Sequence, residues 1–210
     1  MKQLNGIWLP DHEVHLMAYA AGGKFGKWTY QAHKLLAALE YLEGCRTALD
    51  IGGHCGLWSK ELVKVFDHIH AFEPIAEHRE CFLKNVEGKF TLHPVALGDR
   101  VGSVSLHTRE GQSGDSWIDG EGDIPLTTLD SFDIKDVDFI KLDCEGYEYF
   151  ALKGGEKLIK EYRPIIIVEQ KPNHGEKFGI SDTEAVEYLK TFGYKVMQEI
   201  SGDYILCHQH

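Results

Sequence analysis

The sequence predicts an open α/β sheet, mostly parallel, with one antiparallel strand near an edge. Patterns typical of strands and of helices alternate five times over residues 47–192. The run Pro164–Val168 is almost wholly apolar and β-branched, which is typical of a strand in the middle of a parallel sheet. Two further strand patterns, Tyr194–Met197 and Tyr204–Cys207, are separated by a polar segment and predict a closing hairpin.

The individual elements follow from local patterns along the chain. Residues 1–27 contain glycine and proline breaks and are expected to be irregular, whereas apolar residues recur at helical spacing over Thr29–Glu43. Short apolar runs predict further strands at Thr47–Ile51, Ile69–Phe72, Phe90–Val95 and Val137–Leu142. Amphipathic patterns predict further helices at Leu57–Phe66, Pro74–Val86, about Tyr147–Lys160 and Thr183–Phe192.

The alternation is interrupted after the third strand. Val101 and Val104–Leu106 lie in short alternating segments between glycines, which predicts a small antiparallel insertion. Thr108–Asp123 is polar and contains four glycines, so we expect a structureless lid or a disordered segment there. Trp117, within that segment, is expected to form a mobile wall of a ligand site.

Composition limits the classes of function. The 210 residues carry 22 basic and 33 acidic side chains, a net charge of −11, without a Lys/Arg cluster, which disfavours nucleic acid as a partner. The longest apolar run, Leu35–Leu39, is far shorter than the ~18 residues of a membrane span, so no membrane partner is expected. Five cysteines, an odd number without CxxC spacing, indicate reduced thiols and predict a cytoplasmic protein.

The chain length fits one domain with a short arm. We expect an N-terminal arm and helix at residues 1–44 and one α/β domain at residues 45–210. In such sheets the ligand binds at the carboxyl ends of the strands, near the switch point in strand order. The residues that end predicted strands are Asp50, Glu73, Val95, Asp143 and Glu169.

A glycine-rich turn follows the first strand of the domain. Asp50-Ile-Gly52-Gly53-His54-Cys55-Gly56 lets the backbone turn sharply and approach a ligand with no Cβ in the way. A dinucleotide fingerprint needs Gly-x-Gly-x-x-Gly, and His54 stands where its second glycine would be. Asp50 would repel a pyrophosphate but attract an ammonium group. The same glycines would also suit an ordinary connection between strand and helix.

Glu73 closes the second strand, 23 positions after Asp50. A carboxylate at this place can accept hydrogen bonds from both hydroxyls of a ribose. The alternative is a carboxylate that only faces the dipole of the helix that begins at Pro74. The order of the two motifs favours the first interpretation, a nucleoside ligand.

A third group of polar residues surrounds the end of the fourth strand. Lys141 and Asp143 point to one face of that strand, and Glu145 and Glu148 are neighbours at the start of the next helix. Asp143 or Glu145 could act as a base, hold an acceptor amine or, with Glu169, ligate a divalent metal. Lys141 has a simpler role as an ion-pair partner of Asp143, and Glu148 has one as a favourable charge in a first helical turn.

With these motifs the chain resembles the FkbM methyltransferase family of class I S-adenosylmethionine-dependent methyltransferases. The resemblance covers about residues 47–171, the third segment fits the family's Lys-x-Asp-x-Glu-Gly-x-Glu signature, and the first 44 residues match weakly. It implies a Rossmann-like, three-layer α/β/α fold with a mostly parallel seven-stranded sheet and one antiparallel strand. The segments that carry it are Val95-Ala96-Leu97-Gly98-Asp99, Thr127-Thr128-Leu129-Asp130, Ile140-Lys141-Leu142-Asp143-Cys144-Glu145-Gly146-Tyr147-Glu148 and Leu152-Lys153-Gly154-Gly155.

The resemblance also implies a cofactor, S-adenosylmethionine, and the residues that hold it. Asp143 and Glu145 would face the transferred methyl group as catalytic residues, and Asp143 would also contact the cofactor. The remaining cofactor-binding residues would be Asp50, Gly52, Gly53, His54 and Gly56 at the methionine part, Glu73 and Pro74 at the ribose, and Ala96 and Leu97 at the adenine.

We therefore expect a methyltransferase that acts on a hydroxyl or similar nucleophile of a small molecule or glycan. A divalent metal is not expected, although the carboxylates of the site could bind one. Two alternatives also stay open: an NAD(P)-dependent oxidoreductase on the same sheet, and a non-catalytic module that binds S-adenosylmethionine. The sequence contains no signal for the acceptor's identity or for the oligomeric state.

Overall fold

A computed structural model describes residues 1–16 and 30–209 of the chain. The strands are β1 (Lys2–Leu4), β2 (Ile7–Leu9), β3 (Thr47–Ile51), β4 (His68–Phe72), β5 (Phe90–His93), β6 (Ala96–Leu97), β7 (Gly102–Val104), β8 (Leu106–Arg109), β9 (Gln112–Ile118), β10 (Ile124–Thr127), β11 (Val137–Leu142), β12 (Ile165–Glu169), β13 (Tyr194–Ile200) and β14 (Asp203–His208). The helices are α1 (Ala32–Leu39), α2 (Ser59–Leu62), α3 (Ala76–Asn85), α4 (Glu148–Lys153), α5 (Glu156–Tyr162) and α6 (Glu184–Lys190).

Seven strands form the central sheet in the order β13-β14-β12-β11-β3-β4-β5. Pairing is parallel from β12 to β5, whereas β14 runs antiparallel to both of its neighbours. The predicted mostly parallel sheet with one antiparallel strand is therefore confirmed. The strand order reverses between β3 and β11, and this switch point locates the crevice in which such sheets bind ligands.

The central strands are buried because helices cover both faces of the sheet. Every residue of β3 and of β12 is buried. Side chains alternate between two cores: Leu49 and Ile140 pack with residues of α4, α5 and α6, while Ala48 and Phe139 pack with residues of α1 and α2. The arrangement is the expected three-layer α/β/α sandwich.

The helix predicted about Tyr147–Lys160 is instead two helices, α4 and α5, with Gly154-Gly155 between them. A Cβ added to Gly154 would lie 2.0 Å from the backbone oxygen of Gly98. The chain therefore passes a neighbouring loop too closely for any residue except glycine, and the helix is interrupted there.

Two other helices are shorter than predicted. α1 lies inside the predicted range Thr29–Glu43, whose first residue is outside the described part of the chain. α2 covers the middle of the predicted Leu57–Phe66, and hydrogen-bonded turns continue it to Phe66. Among the described residues, no helix combines the length and apolar character required to cross a membrane.

The insertion after β5 contains two small sheets. β10 pairs parallel with β6 and antiparallel with β7, so the insertion is only partly antiparallel. β8 and β9 form an antiparallel hairpin, and the prediction that Thr108–Asp123 is structureless is therefore wrong. Glu110 and Gly111 make the tight turn, and Gly111 has φ 75°, a left-handed backbone conformation that glycine adopts without strain.

A second hairpin lies at the N-terminus, where irregular chain was predicted. β1 and β2 pair antiparallel around Asn5-Gly6, whose φ angles are 49° and 81°. The hairpin is fastened to α3, because Asn85 accepts the Trp8 N–H and donates to the Trp8 oxygen, both at 2.8 Å. The prediction for residues 1–27 is wrong over this hairpin, and residues 17–27 lie outside the described part.

Candidate active site

The candidate site is a cavity of about 400 Å³ at the carboxyl ends of β3, β4, β11 and β12. Its floor consists of the ends of these strands and the turns that follow them, together with β6 (residues 51–54, 73–75, 95–97, 141, 143–145, 169, 171 and 174). Its roof consists of residues 13–16 and the β8–β9 hairpin. Cavities of a few hundred Å³ hold cofactors and drug-sized ligands, so the site lies where the strand order predicts it and has a suitable size.

The turn after β3 brings the backbone itself to the cavity. Gly52 has φ 79°, and an added Cβ would lie 1.8 Å from the backbone oxygen of Asp143, so only glycine fits. The N–H groups of Gly52 and Gly53 both donate to the oxygen of Phe72, at 3.1 and 3.0 Å. Three predicted cofactor residues, Gly52, Gly53 and His54, line the cavity.

Asp50 and Gly56, also predicted at the cofactor, lie behind this turn and are not among the residues that line the cavity. Asp50 is fully buried; its Oδ2 accepts the Ser59 hydroxyl at 2.6 Å, and its Oδ1 is 3.4 Å from Lys141 Nζ. Burial raises the pKa of Asp50 even though Lys141 opposes the shift. A Cβ on Gly56 would lie 2.5 Å from Val86. Both residues support the turn from behind.

Glu73 lines the cavity beside Pro74 and binds the glycine turn. Its Oε2 accepts the His54 N–H at 2.8 Å, its Oε1 accepts the Ile75 N–H at 2.8 Å, and His78 Nδ1 is 3.3 Å from Oε1. Burial opposes ionisation, but His78 and the backbone N–H groups outweigh it and lower the pKa of Glu73. Because a carboxylate has about four acceptor positions, the charged Glu73 can still accept hydrogen bonds from a ligand.

A small apolar surface lies next to Glu73. Ala96 and Leu97 of β6, predicted at the adenine, line the cavity together with Val95 and Ile75. Apolar walls beside a few polar groups are typical of ligand sites in general.

Acidic side chains converge where β11 and β12 end. Carboxylate oxygens of Asp143, Glu145 and Glu169 all lie within 4.8 Å of one another, and the three residues line the cavity. Lys171 reaches into this group, with its Nζ 2.6 Å from Glu169 and 3.5 Å from Glu145. Carboxylates are common ligands of divalent metal ions, but here an ammonium group already balances part of their charge.

One carboxyl group of this acidic cluster keeps its proton at neutral pH, although free carboxyl groups are ionised there. Burial and the charge of Asp143 raise the pKa of Glu169 to about 10, so Glu169 is protonated at neutral pH. Burial opposes the charge of Asp143 as well, but Lys141 and Lys171 outweigh it and lower the pKa of Asp143. The two carboxyl groups share one proton, and Asp143 keeps the negative charge.

The turn that carries Asp143 and Glu145 is held in shape by Glu148. Glu148 Oε1 accepts the N–H groups of Cys144 and Gly146, at 2.7 and 3.1 Å, and burial raises the pKa of Glu148 to about 7. Glu145 has φ 52°, a strained conformation for a residue with a side chain. As predicted from its helical position, Glu148 has a structural role.

Buried hydrogen bonds connect the roof to the floor. Fully buried Glu13 accepts the N–H and the hydroxyl of Ser113, at 2.7 and 2.5 Å, and the N–H of Leu16 at 2.7 Å. Ser113 Oγ is in turn 2.8 Å from His54 Nε2. Burial and the neighbouring His78 lower the pKa of His54 to about 3, so its ring is neutral. We call this chain of contacts, Glu13–Ser113–His54, the latch.

Several lining residues were not predicted. Glu13 and Ser113 lie in segments without a recognisable motif, and no local signal marks them. A signal did exist for Lys171 and His174, since both follow the carboxyl end of a buried strand, as Asp143 does.

Trp117, predicted as a wall of the site, is not one of the lining residues. Its neighbours Ser116 and Ile118 line the cavity, and alternate residues of a strand point to opposite faces. The Trp117 ring packs on His107, and Lys177 Nζ lies 3.8 Å from its centre.

Comparison with known proteins adds a family and a set of similar folds. The profile described as methyltransferase FkbM domain matches residues 50–196. The solved structure of methyltransferase FkbM from Methylobacillus flagellatus KT has 19% identity and a TM-score of 0.51, over 76% of this chain and 42% of that chain.

Two further solved structures have comparable similarity. Precorrin 8w decarboxylase from Methanobacterium thermoautotrophicum has 17% identity and a TM-score of 0.50, over 82% of this chain and 86% of that chain. Monomeric WbdD has 13% identity and a TM-score of 0.51, over 96% of this chain and 47% of that chain. Comparison with curated proteins finds no match.

The fold and the family match together define a class I S-adenosylmethionine-dependent methyltransferase. The chain belongs to the methyltransferase FkbM domain family, because the family profile covers most of its length. The resemblance inferred from the motifs is thereby confirmed. The chain spans 42% of the length of the M. flagellatus protein that it matches.

Proposed function

We propose that the protein transfers a methyl group from S-adenosylmethionine to a hydroxyl of a small molecule or glycan. One observation carries the proposal: a single cavity is lined by an acidic group, Asp143 with Glu145 and Glu169, by Glu73 and by an apolar surface. This combination of features matches a ligand with a positively charged centre, a ribose and a purine.

The residues of the floor suit the donor. We assign the methionine part to Gly52, Gly53 and His54, since these residues of the turn after β3 line the cavity. Glu73, beside Pro74, would accept hydrogen bonds from the ribose hydroxyls, and Ala96 and Leu97 would contact the adenine. Asp50 and Gly56 would act indirectly by keeping the turn in shape.

The chain's own residues would position the reaction and remove water. The bound donor would supply a methyl group on a positively charged sulfur. Asp143, charged at neutral pH, would stabilise that positive end, and Glu145 would border the place of the acceptor. The roof would exclude solvent from the cavity and hold the acceptor in line with the methyl group.

The size and charge of the site favour a small acceptor or the end of a glycan. The latch fastens the roof over a cavity of about 400 Å³, a size typical of sites for small ligands. The net charge of −11 would repel a polyanion such as RNA. Cys45, Cys55, Cys81, Cys144 and Cys207 are free thiols, which supports the proposal of a reducing, cytoplasmic environment.

Lys171 provides the local counter-charge for the acidic group, and we propose that transfer needs no divalent metal. Its ammonium lies against Glu169 and Glu145, two of the three carboxylates that a metal would need. Treatment with a chelator is expected to leave the transfer rate unchanged. If the chelator abolished transfer and added Mg²⁺ restored it, the proposal that no metal is needed would be wrong.

Transfer of a labelled methyl group tests the function directly. Purified protein and S-adenosylmethionine with an isotopically labelled methyl group would be incubated with a panel of sugars, oligosaccharides and hydroxylated small molecules, with RNA as a separate arm. Label in a methyl ether of one of the hydroxyl compounds supports the proposal. Label in RNA, or on carbon or nitrogen, would overturn the acceptor class, and donor binding without transfer would indicate a non-catalytic module.

A further inference from the structure

His174 places an imidazole ring in the cavity beside the acidic group. Its Nδ1 is 3.2 Å from Glu145 Oε2, an ion-pair contact that leaves this buried oxygen without a hydrogen-bond donor, and its side chain, 20% exposed, lines the cavity. Among the described residues, no hydrogen bond reaches Nε2. With its proton on Nδ1, the ring would present the lone pair of Nε2 to a ligand.

The backbone around His174 is fixed against the turn that carries Glu145. Asp182 accepts the N–H groups of Asn173 and Gly175, on either side of His174, at 2.8 and 3.0 Å. A Cβ added to Gly146 would lie 2.5 Å from the backbone oxygen of His174. This close approach holds the ring next to the acidic group, so its position is part of the fold.

The carboxyl groups nearby are poorly suited to accept a proton. Asp143 is held in its charged form by Lys141 and Lys171, so its basicity is low. Glu169 already carries a proton at neutral pH. Glu145 contacts both Lys171 and His174 and is almost wholly buried. Imidazole, by contrast, is the side chain best suited to exchange protons near neutral pH.

We propose that His174 is a catalytic residue, the base that accepts the proton of the acceptor hydroxyl, and that Glu145 is a positioning residue that holds the His174 proton on Nδ1. This inference rests on the proposed methyl transfer and deepens it. It also changes the role predicted for Glu145, from a base to the group that orients one.

The proposed step balances in atoms and charge. The acceptor oxygen forms a bond to the methyl carbon while the bond between that carbon and sulfur breaks, and the electron pair of the broken bond stays on sulfur. The hydroxyl proton passes to His174 Nε2, which forms an imidazolium beside the Glu145 carboxylate. The imidazolium then releases a proton to solvent, and a neutral thioether and a methyl ether remain.

The charged groups around the ring favour this step. Glu145 contacts the ring directly, Lys171 contacts Glu145 from the other side, and Asp182 binds the adjacent backbone N–H groups. A carboxylate at the 3.2 Å distance of Glu145 would stabilise an imidazolium on His174. An arrangement of carboxylate, imidazole and open ring nitrogen is the general pattern of an oriented base.

Nuclear magnetic resonance of ¹⁵N-labelled histidine tests the positioning without any acceptor. Spectra would be recorded for the full chain saturated with S-adenosylhomocysteine, with His174→Ala to assign the signal. We expect the proton on Nδ1 and a free Nε2 in the wild type, and a shift of the proton to Nε2 in Glu145→Ala. A proton on Nε2 in the wild type, or no change in Glu145→Ala, would overturn the proposal.

Methyl transfer supplies the second arm, with the hydroxyl acceptor that the labelled panel yields. His174→Ala should lower kcat by about 10²–10⁴-fold, while its affinity for S-adenosylhomocysteine stays within about twofold of wild type. Added imidazole should restore part of the rate, which a merely structural role would not allow. The matched control is His33→Ala, an exposed histidine on α1 that does not line the cavity.

The two arms separate failure of this inference from failure of the proposed function. If S-adenosylhomocysteine does not bind the wild type, the methyltransferase proposal itself fails. If it binds and transfer occurs, but His174→Ala keeps the wild-type kcat, the base is another group and only this inference fails.

Discussion

The floor and the roof of the cavity are built in different ways. The floor is fixed mainly by the backbone: Gly52 fits only without a Cβ, and its oxygen accepts a hydrogen bond from Lys141 at 2.8 Å. The roof depends on the side chains of Glu13 and Ser113, which are 100 residues apart in sequence, in addition to backbone hydrogen bonds from Val14 and His15 to the Gly111 oxygen. A backbone-defined floor suits a cofactor common to a family, whereas a roof fastened by side chains can change with the acceptor.

Substitution of a floor glycine is expected to have the largest effect. Gly52→Ala puts a Cβ 1.8 Å from the Asp143 oxygen at a φ of 79°, so the free energy of unfolding should fall by ~3 kcal/mol or more. Gly114→Ala, in the roof, meets no atom within 4 Å and should change stability by less than ~1 kcal/mol. Chemical denaturation measures the free energy of unfolding of both variants. Equal destabilisation would show that the floor is no more sensitive to an added Cβ than the roof.

Removal of the latch should have the next largest effect. Glu13→Ala leaves the buried N–H and hydroxyl of Ser113 and the Leu16 N–H without their acceptor, at a cost of ~2 kcal/mol. Hydrogen exchange should quicken in β8 and β9 but not in β3 or β11. Glu110→Ala, an exposed residue of the same hairpin, is the control. Faster exchange throughout the central sheet would show that roof and floor are one cooperative unit.

Glu73 tests the ligand assignment of the floor. Glu73→Ala should weaken binding of S-adenosylhomocysteine by about tenfold or more, which is ~1.5 kcal/mol, because charge-assisted hydrogen bonds to the ribose are lost. Glu80→Ala, at an exposed carboxylate on α3, the helix that follows Glu73 in the chain, should leave the affinity unchanged. Titration calorimetry measures both affinities. An unchanged affinity in Glu73→Ala would show that the ribose does not bind at Glu73.

Acid should weaken the latch. The pKa of His54 is about 3 in the folded protein, below the ordinary 6.5, so the unfolded chain binds more protons between these pH values. The stabilising contribution of neutral His54 is therefore complete above pH 6.5 and is lost as the pH falls toward 3. His54→Gln should show a shallower fall of stability with acid than the wild type. Denaturation midpoints across this range provide the measurement, and parallel curves would contradict it.

The dependence of stability on pH has the opposite sign for Glu148, which supports the turn that carries Asp143 and Glu145. Its pKa rises from the ordinary 4.5 to about 7, so the folded protein binds more protons and Glu148 stabilises it most below pH 4.5. That contribution disappears as the pH rises through about 7. Glu148→Gln should remove this decline, and the same decline in the variant would assign it to another group.

Local patterns were enough to predict the floor. The apolar runs of β3, β11 and β12 fixed the buried strands, and each strand end located one part of the site, at Gly52, Glu73 and Asp143. At the end of β12 the prediction included Glu169 but not the residues that follow it, so Lys171 and His174 were missed. The two short hairpins were missed although Asn5-Gly6 carries a strong turn signal.

The roof could not be predicted from the sequence for a physical reason. Its contacts join polar residues that are distant along the chain, such as Glu13 with Ser113, and neither residue shows the periodicity that burial imposes on apolar side chains. The pairing exists only once β9 is placed over the glycine turn. The sequence also could not show which side chains face the cavity. Asp50 and Trp117 were both predicted to contact a ligand, but Asp50 lies behind the glycine turn and Trp117 packs on His107.

Titration calorimetry of the wild-type protein with S-adenosylhomocysteine and, separately, with NAD⁺ tests the central claim most directly. The nucleoside thioether should bind one molecule per chain in the crevice between β3 and β11, and the dinucleotide should give no heat of binding. Binding of NAD⁺ in place of S-adenosylhomocysteine, or of neither compound, would contradict the account.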